Sequence, residues 1–320
     1  MCGIAGILAI GSKKSSGELS RYLGIMLNEM QHRGPDDRGE EEIAQPNGLR
    51  LYLGHQRLSV IEPGPGGHQP MSNDDSTVWI STNSEIYNYQ DLREELQLKY
   101  NFRTKSDTEV LMRAYEAWGL DCIEKLRGMF AFAIWDASNS RVILARDRLG
   151  IKPLYYSYSN DLLIFSSELR AILATKVIKT RLNTSGIFQY LSFGRLGTPE
   201  TLLDPIRELP PGHFLIANKK GIKIEKYWDP LRITDSYNPD ISVTKQISKV
   251  LEDAVRLRLV SDVPLGAFLS GGIDSSAVVG LMADNTFNPI KTLSITFKEK
   301  LYDESEFSNQ IANELGTKHN

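Results

Sequence analysis

The sequence predicts an α+β unit followed by an α/β unit, and three observations carry that reading. Short apolar runs bounded by turn residues recur through the first half and read as strands, with stretches of helical spacing between them. Composition shifts toward linker between Tyr227 and Asp240, where Pro230 and Pro239 flank a polar stretch. Behind it a strand, a glycine turn, a helix and a second strand follow in βαβ order, a different class from the first half.

The opening run from Gly3 to Ile10 is apolar and reads as a buried strand. Leu19, Leu23, Met26, Leu27 and Met30 then share one face of a helix. The turn-rich stretch 32–39 reads as a loop. Further strands are expected at 49–53, 78–82, 129–135, 142–145 and 162–166, and helices at 107–117 and 168–174. Past the linker, Val243, Ile247, Val250, Leu251, Ala254 and Val255 form an amphipathic stripe. A strand at 263–269, a helix from about Ser275 and a strand at 292–297 complete the pattern, with no internal repeat.

The 320 residues, 41% hydrophobic and 24% charged with a net charge of −3, are ordinary for a globular chain and favour about two domains. Near-neutral charge gives no sign of a nucleic-acid partner. No run reaches the roughly 18 apolar residues of a membrane span, and no basic, apolar leader opens the chain. Cys2 and Cys122 make no disulfide framework, so a reducing cytoplasm is expected. The five histidines show no metal-ligand spacing.

Chemistry enters at Cys2. Removal of Met1 puts a thiol and a free α-amine on one residue, and an amine that titrates near pH 8 can take the proton of its own thiol. Read alone, Cys2 is more often a small apolar residue opening a strand. Around it stand candidates for the rest of an amide-hydrolysing site. Arg57 can hold a substrate carboxylate, and Glu85 and Asp107 a substrate ammonium. Asn83 offers an amide donor for oxyanion charge, beside the Ser84 backbone N–H. Each has a plainer reading: an ion-pair former for Arg57, a turn for Asn83, a helix cap for Asp107.

Together the segments Cys2-Gly3-Ile4, His32-Arg33-Gly34-Pro35-Asp36, Gly54-His55-Gln56-Arg57-Leu58-Ser59, Asn83-Ser84-Glu85-Ile86-Tyr87-Asn88 and Ser106-Asp107-Thr108-Glu109 resemble the glutaminase domain of N-terminal-nucleophile amidotransferases. So do Arg127-Gly128-Met129-Phe130-Ala131-Phe132 and the run from Ala145 to Tyr156. The resemblance extends from Cys2 to about Trp228. It implies a four-layer αββα sandwich that releases ammonia from glutamine. It also implies that Val60 and Ile61 line the glutamine site through backbone groups, under a closing 33–35 loop. One position departs: the family has glycine where this chain has Ser84, and a left-handed backbone there would distort the oxyanion hole.

In the second half an apolar strand leads into Ser270-Gly271-Gly272-Ile273-Asp274-Ser275-Ser276 and then an apolar helix. Strand, glycine turn and helix N-terminus present bare N–H groups to an anion. Ser270, Ser275 and Ser276 add hydroxyls, and Asp274 can hold the Mg²⁺ that accompanies nucleotide phosphates. The plainer reading is a tight turn capped by serines. The heptapeptide resembles the pyrophosphate loop of ATP pyrophosphatases, in a truncated Rossmann-like domain. Glutaminase first and this loop second resemble glutamine-hydrolysing asparagine synthetases, and 302–305 and 315–319 continue that resemblance. The resemblance places Phe268 and Ile295 at the adenine. It implies ATP and Mg²⁺ as cofactors and adenylation of the aspartate β-carboxylate, with ammonia displacing AMP.

The domains expected are therefore a glutaminase over 1–228, a linker over 229–240 and the start of the synthetase domain over 241–320. The chain reads as the N-terminal part of a longer protein or one half of a split pair, expected to be unable to make asparagine alone and to carry a sticky second half. Synthetases of this type are often dimers. Three alternatives stay open: another carboxylate acceptor, a non-catalytic glutamine-binding module, and a synthetase fed by free ammonia.

Overall fold

A computed structural model describes residues 1–11, 14–44, 48–232, 241–301 and 303–320. Most of the expected linker (233–240) and Tyr302 lie outside the described residues. The chain divides into two compact units, Met1–Ile233 and Thr234–Asn320.

The first unit opens with β1 (Gly3–Ile10), α1 (Ser16–Glu29), β2 (Asp37–Ala44), β3 (Leu49–Arg57), β4 (Met71–Ser72) and β5 (Val78–Ile86). Helices α2 (Tyr89–Leu96), α3 (Asp107–Trp118) and α4 (Cys122–Lys125) follow. Then come β6 (Gly128–Asp136), β7 (Arg141–Arg146), β8 (Tyr155–Ser159), β9 (Leu162–Ser166) and α5 (Leu169–Ala174). The unit closes with β10 (Arg181–Leu182), α6 (Thr184–Phe193), β11 (Leu203–Asp204), β12 (Arg207–Glu208), β13 (His213–Asn218) and β14 (Gly221–Lys226).

Two six-stranded antiparallel sheets form, in the orders β12-β8-β9-β1-β3-β2 and β14-β13-β7-β6-β5-β4. Strand alternation sorts their side chains into layers. Ala5, Ile7 and Ala9 of β1 pack with Leu19, Leu23, Met26 and Leu27 of α1 and with α5. The intervening Ile4 and Leu8 meet Ala131, Ala133 and Trp135 of β6 between the sheets. Phe130, Phe132 and Ile134 of β6 point the other way, onto Val110, Leu111 and Ala114 of α3. Helix, sheet, sheet, helix: this is the αββα sandwich expected. Capping agrees with the sequence, since Ser15 and Glu18 form a capping box at α1. Gly6 shows why the inner face needs its small residues, for a Cβ there would lie 2.2 Å from the ring of its register partner Phe165.

The second unit has α7 (Val243–Arg258), β15 (Gly266–Phe268), α8 (Ile273–Asp284), β16 (Lys291–Leu293), α9 (Ser305–Glu314) and β17 (Lys318–His319). Its three strands are parallel, in the order β15-β16-β17. Parallel sheets are normally covered on both faces. Here two small clusters, around Val255, Met282 and Ile290 and around Leu269, Val279 and Ala312, make the core. Phe268, Ile273, Ile295 and Phe297 stand exposed.

Several elements differ from the sequence reading. The expected loop 32–39 turns extended at Asp37, because β2 pairs along β3 from Asp37↔Arg57 onward. The strands read at 263–269 and 292–297 are confined to three residues each, and α8 begins at Ile273, two residues ahead of Ser275. The sequence pattern also carried no signal for strands β8, β13 and β14, for the two-residue strands β4, β10, β11, β12 and β17, or for helices α2, α6 and α9. In β8 the hydroxyl-rich Tyr-Tyr-Ser-Tyr-Ser looks polar, yet it lies inside the first sheet between β12 and β9.

Candidate active site

The chain start ahead of β1, the segment after β3, β5 and the start of α3 converge on one cavity. It is lined by Cys2, Arg57, Val60, Ile61, Ser84, Glu85 and Asp107, together with Leu58, Gly67, Gln69 and Thr108. Seven of the eight residues singled out for hydrolysis therefore meet in one place. The eighth, Asn83, lies one position along β5 and is 1% exposed.

Cys2 stands just before β1. Its thiol is 3.5 Å from the Leu58 carbonyl and its sulfur accepts the Leu58 N–H at 3.3 Å. Arg33 anchors the same residue by donating Nε–H to the Cys2 carbonyl at 2.9 Å. Burial raises the thiol above its usual range, the Leu58 N–H acting against it, so the sulfur is protonated at rest and needs a base. Burial lowers the α-amine of Met1, the residue ahead of Cys2.

The oxyanion side follows from ladder geometry. In an antiparallel pair a residue's N–H and C=O point to the same neighbour. Phe130 spends both on Asp147, donating to Oδ2 at 3.2 Å and accepting from the Asp147 N–H at 2.8 Å. Its partner across the ladder is Ser84, whose N–H therefore faces away from β6. On the same outer edge, the Thr82 N–H goes to Gln69 Oε1 at 2.7 Å and the Ile86 N–H to Asp107 Oδ2 at 3.2 Å. Between them the Ser84 N–H is left for the cavity. The backbone here is a strand, and Ser84 is not among the positive-φ residues. Serine is accommodated without the strain that a left-handed turn would impose. Asn83 Nδ2 is buried without a hydrogen-bond partner, a donor awaiting an acceptor.

Acidic groups flank this edge. Glu85 is pushed up to about 7 by burial and then by Asp107; Asp107 is itself raised to about 6 by burial. Asp107 is the first residue of α3, and the cap is its neighbour Ser106, whose Oγ accepts the Thr108 N–H at 3.1 Å. Two carboxylates raised by burial in this way form a place that a cationic group would favour.

Arg57 is already engaged. It donates Nη1–H to Gly64 O at 2.9 Å and Nη2–H to Ile61 O at 3.2 Å and to Glu62 O. A planar grip on a carboxylate requires these carbonyls to share the guanidinium, so the 61–64 segment has to shift when a ligand enters. Gly67 leaves the space for it: a Cβ there would lie 1.6 Å from Arg57 Nη2. Gly67→Ala is accordingly expected to displace the guanidinium. With a charged hydrogen bond contributing about 1.5–3 kcal/mol, the dissociation constant of a carboxylate ligand held by Arg57 should rise roughly 10- to 100-fold, as titration calorimetry on the variant would read.

In the second unit a pocket is lined by Phe268, Leu269, Ser270, Ser275, Leu293, Ser294, Ile295, Phe297, Glu304 and Ser308. Gly271, Gly272, Asp274 and Ser276 stand outside its lining. The serines of the turn engage one another, Ser270 Oγ lying 3.0 Å from Ser275 Oγ and accepting the Gly272 N–H at 3.3 Å. Other features fit a phosphate. Helix α8 starts at Ile273 behind an N-cap glycine, Gly272, that offers no side chain to its N–H groups, and Ser276 Oγ is buried without a partner. Gly271 has φ of +80°, and a Cβ there would meet Phe307 at 2.6 Å. Asp274 is exposed, and no group of three His, Cys, Asp or Glu gathers among the described residues. A single carboxylate fits a magnesium ion whose other ligands are phosphate and water.

Residues 1–228 match the profile of the family described as "Glutamine amidotransferase domain". The chain belongs to that family. Residues 246–320 match the family described as "Asparagine synthase". The chain is 37% identical over 96% of its length to asparagine synthetase [glutamine-hydrolyzing] 3 of Bacillus subtilis, covering 50% of that protein. It is 36% identical over its whole length to a putative asparagine synthetase [glutamine-hydrolyzing] 2 of Methanocaldococcus jannaschii, covering 64% of it. The chain thus spans about half to two-thirds of these relatives. Among solved structures, a glutamine phosphoribosylpyrophosphate amidotransferase from B. subtilis aligns with a TM-score of 0.55 at 18% identity, covering 99% of this chain and 90% of that one. That likeness shows the amidotransferase fold. Among the described residues no helix is long and apolar enough to cross a membrane.

Sequence reasoning about this amidotransferase-family site missed three buried groups. Gln69 bridges the edge of β5 to Thr108 Oγ1, donating at 3.1 Å. His55 lies between the sheets and is pulled down to about 4 by burial, so its ring is neutral. Its Nε2–H donates to Thr82 O at 3.0 Å. Lys152 is 4% exposed inside the segment after β7. Only its place behind Gly150 in the quoted 145–156 run marked it.

Proposed function

We propose that this chain is the N-terminal part of a glutamine-dependent asparagine synthetase, whose 1–228 domain hydrolyses glutamine. The observation that carries the reading is the convergence of Cys2, the outward-facing Ser84 N–H, Arg57, Glu85 and Asp107 on one cavity. With Met1 removed, the α-amine of Cys2 takes the thiol proton while Sγ attacks the side-chain amide carbon of glutamine. The oxygen gains negative charge opposite the Ser84 N–H and Asn83 Nδ2. The C–N bond then breaks as the amine returns that proton to the leaving nitrogen, giving ammonia and a glutamyl thioester. Water attacks the thioester, its proton passes to the amine, and the C–S bond breaks to release glutamate. Arg57 holds the substrate carboxylate, Glu85 and Asp107 its ammonium, and backbone groups of Val60 and Ile61 border it.

Residues 229–240 serve as linker and 241–320 as the start of the ATP-binding domain. There Ser270, Gly271, Gly272, Ser275 and Ser276 would hold nucleotide phosphates, and Asp274 one face of Mg²⁺. Phe268 and Ile295 would flank the adenine. ATP supplies the activation of the acceptor carboxylate, aspartate being the acceptor that the relatives' names support. The cytoplasm and a homodimer complete the proposal.

Release of glutamate from glutamine by the purified chain, with the N-terminal mass checked, tests the reading. A pH dependence should accompany it. Glu85 is neutral below about 7 and then loses its attraction for the substrate ammonium. KM for glutamine should therefore rise as pH falls through 7, and Glu85→Gln should show a high KM that is flat with pH.

A further inference from the structure

The segment 147–152 is fastened far more heavily than a surface turn requires. The Asp147 carboxylate accepts N–H groups from Leu149 at 3.1 Å, Ile151 at 3.0 Å and Lys152 at 3.0 Å, besides Phe130. Arg146 donates Nε–H to Lys152 O at 2.8 Å, Nη2–H to Gly150 O at 2.8 Å and Nη1–H to Leu209 O at 2.7 Å. Gly150 turns with φ of +67°. What this mounting carries is the Lys152 side chain, 4% exposed. Among the described residues its ammonium makes neither a hydrogen bond nor an ion pair.

A buried cation without a counter-ion is costly, so its surroundings matter. The turn is tied to the site because Asp147 holds both backbone groups of Phe130, the ladder partner of the cavity-lining Ser84. The charged and titratable groups that act on the ammonium are the Cys2 thiol, the Met1 amine, Arg33, Glu85 of β5 and Asp147. Asp107 reaches it through Glu85. Asp147 is consumed by the turn, and Arg33 is bonded to the Cys2 carbonyl and to Glu168 Oε1 at 3.1 Å. A fixed cation near the Cys2 thiol favours its proton loss.

We propose that Lys152 is a positioning residue of the hydrolytic site: its ammonium is the fixed positive charge against which the Cys2 sulfur carries negative charge as the amide opens. This rests on the hydrolytic role of Cys2 proposed above. Burial draws the ammonium below the ordinary lysine range, as expected for a cation held out of water, and Glu85 and the Cys2 sulfur oppose that loss.

The test compares the chain with Lys152→Met and Lys152→Arg, all with Met1 removed. It reads the pH profile of Cys2 alkylation by iodoacetamide, followed by peptide mass, and kcat and KM for glutamine. In Lys152→Met the alkylation midpoint should move up by about one pH unit, making modification at pH 7 roughly tenfold slower while the high-pH plateau stays the same. kcat should fall at least as far with KM changed less, and Lys152→Arg should restore both. A folded Lys152→Met protein with the wild-type alkylation profile overturns the proposal. If that variant does not fold, Lys152→Gln carries the same comparison. Absence of glutamate release from the wild type overturns the hydrolytic reading instead, and the alkylation profiles then judge Lys152 independently.

Discussion

Cys2→Ala is expected to lower glutamate release by on the order of 10⁴-fold or more, since removing a covalent nucleophile takes with it the whole acyl-transfer route. The structure gives the reason the other cysteine cannot substitute. Cys122 is fully buried in the α3–α4 layer, packed in the cluster beneath the second sheet. Burial pushes its thiol up to about 12, far from a nucleophile at neutral pH. Cys2 instead borders the cavity, with its sulfur fixed by both backbone groups of Leu58. Alanine at position 2 keeps the small apolar character that precedes β1, so the variant should fold as the wild type does. Its melting temperature and its affinity for glutamine, measured by calorimetry, should change little while turnover disappears.

Asn83→Ala is expected to lower kcat by about 10²–10³-fold with a smaller effect on KM, the cost of one oxyanion donor. Asn83 faces the space between the sheets, beside Ser81, whose Oγ donates to Gly54 O at 3.1 Å. Its Nδ2 is buried without an acceptor, so alanine removes an unsatisfied group and leaves the resting fold little poorer. The loss should therefore appear in the chemical step. Ser84→Gly is the matching control and should stay near wild-type activity. The N–H at position 84 is aimed by the β5–β6 ladder, and the extended backbone there asks nothing of glycine. A large gain on Ser84→Gly would mean that the serine side chain obstructs the hole.

The layering of the first unit was legible because apolar alternation in β1 and β6 and the 3.6-residue stripe of α1 are properties of single segments. The order of the strands was not, since β1 pairs with β9 and β3 across long stretches of chain. The site residues Cys2, Arg57, Ser84, Glu85 and Asp107 could be named from motif order, but their mutual placement comes from that long-range pairing. Two features were out of reach of any local pattern. The direction of the Ser84 N–H is set by Asp147 capturing both backbone groups of Phe130, more than sixty positions along the chain. The engagement of Arg57 with the 61–64 carbonyls appears only once that segment folds back on β3. Conversely, the shortness of β15 and β16 escaped the sequence because their apolar runs continue past the last paired residue, leaving Ile295 and Phe297 exposed.

If Cys2 attacks the side-chain amide carbon of glutamine, an electrophilic diazoketone analogue of glutamine should modify it, as peptide mass mapping reads. The expected result is one adduct per chain, on Cys2 in protein that has lost Met1, prevented by excess glutamine, with Cys122 unmodified. An unmodified Cys2 in folded, processed protein, or labelling that glutamine does not prevent, would contradict it.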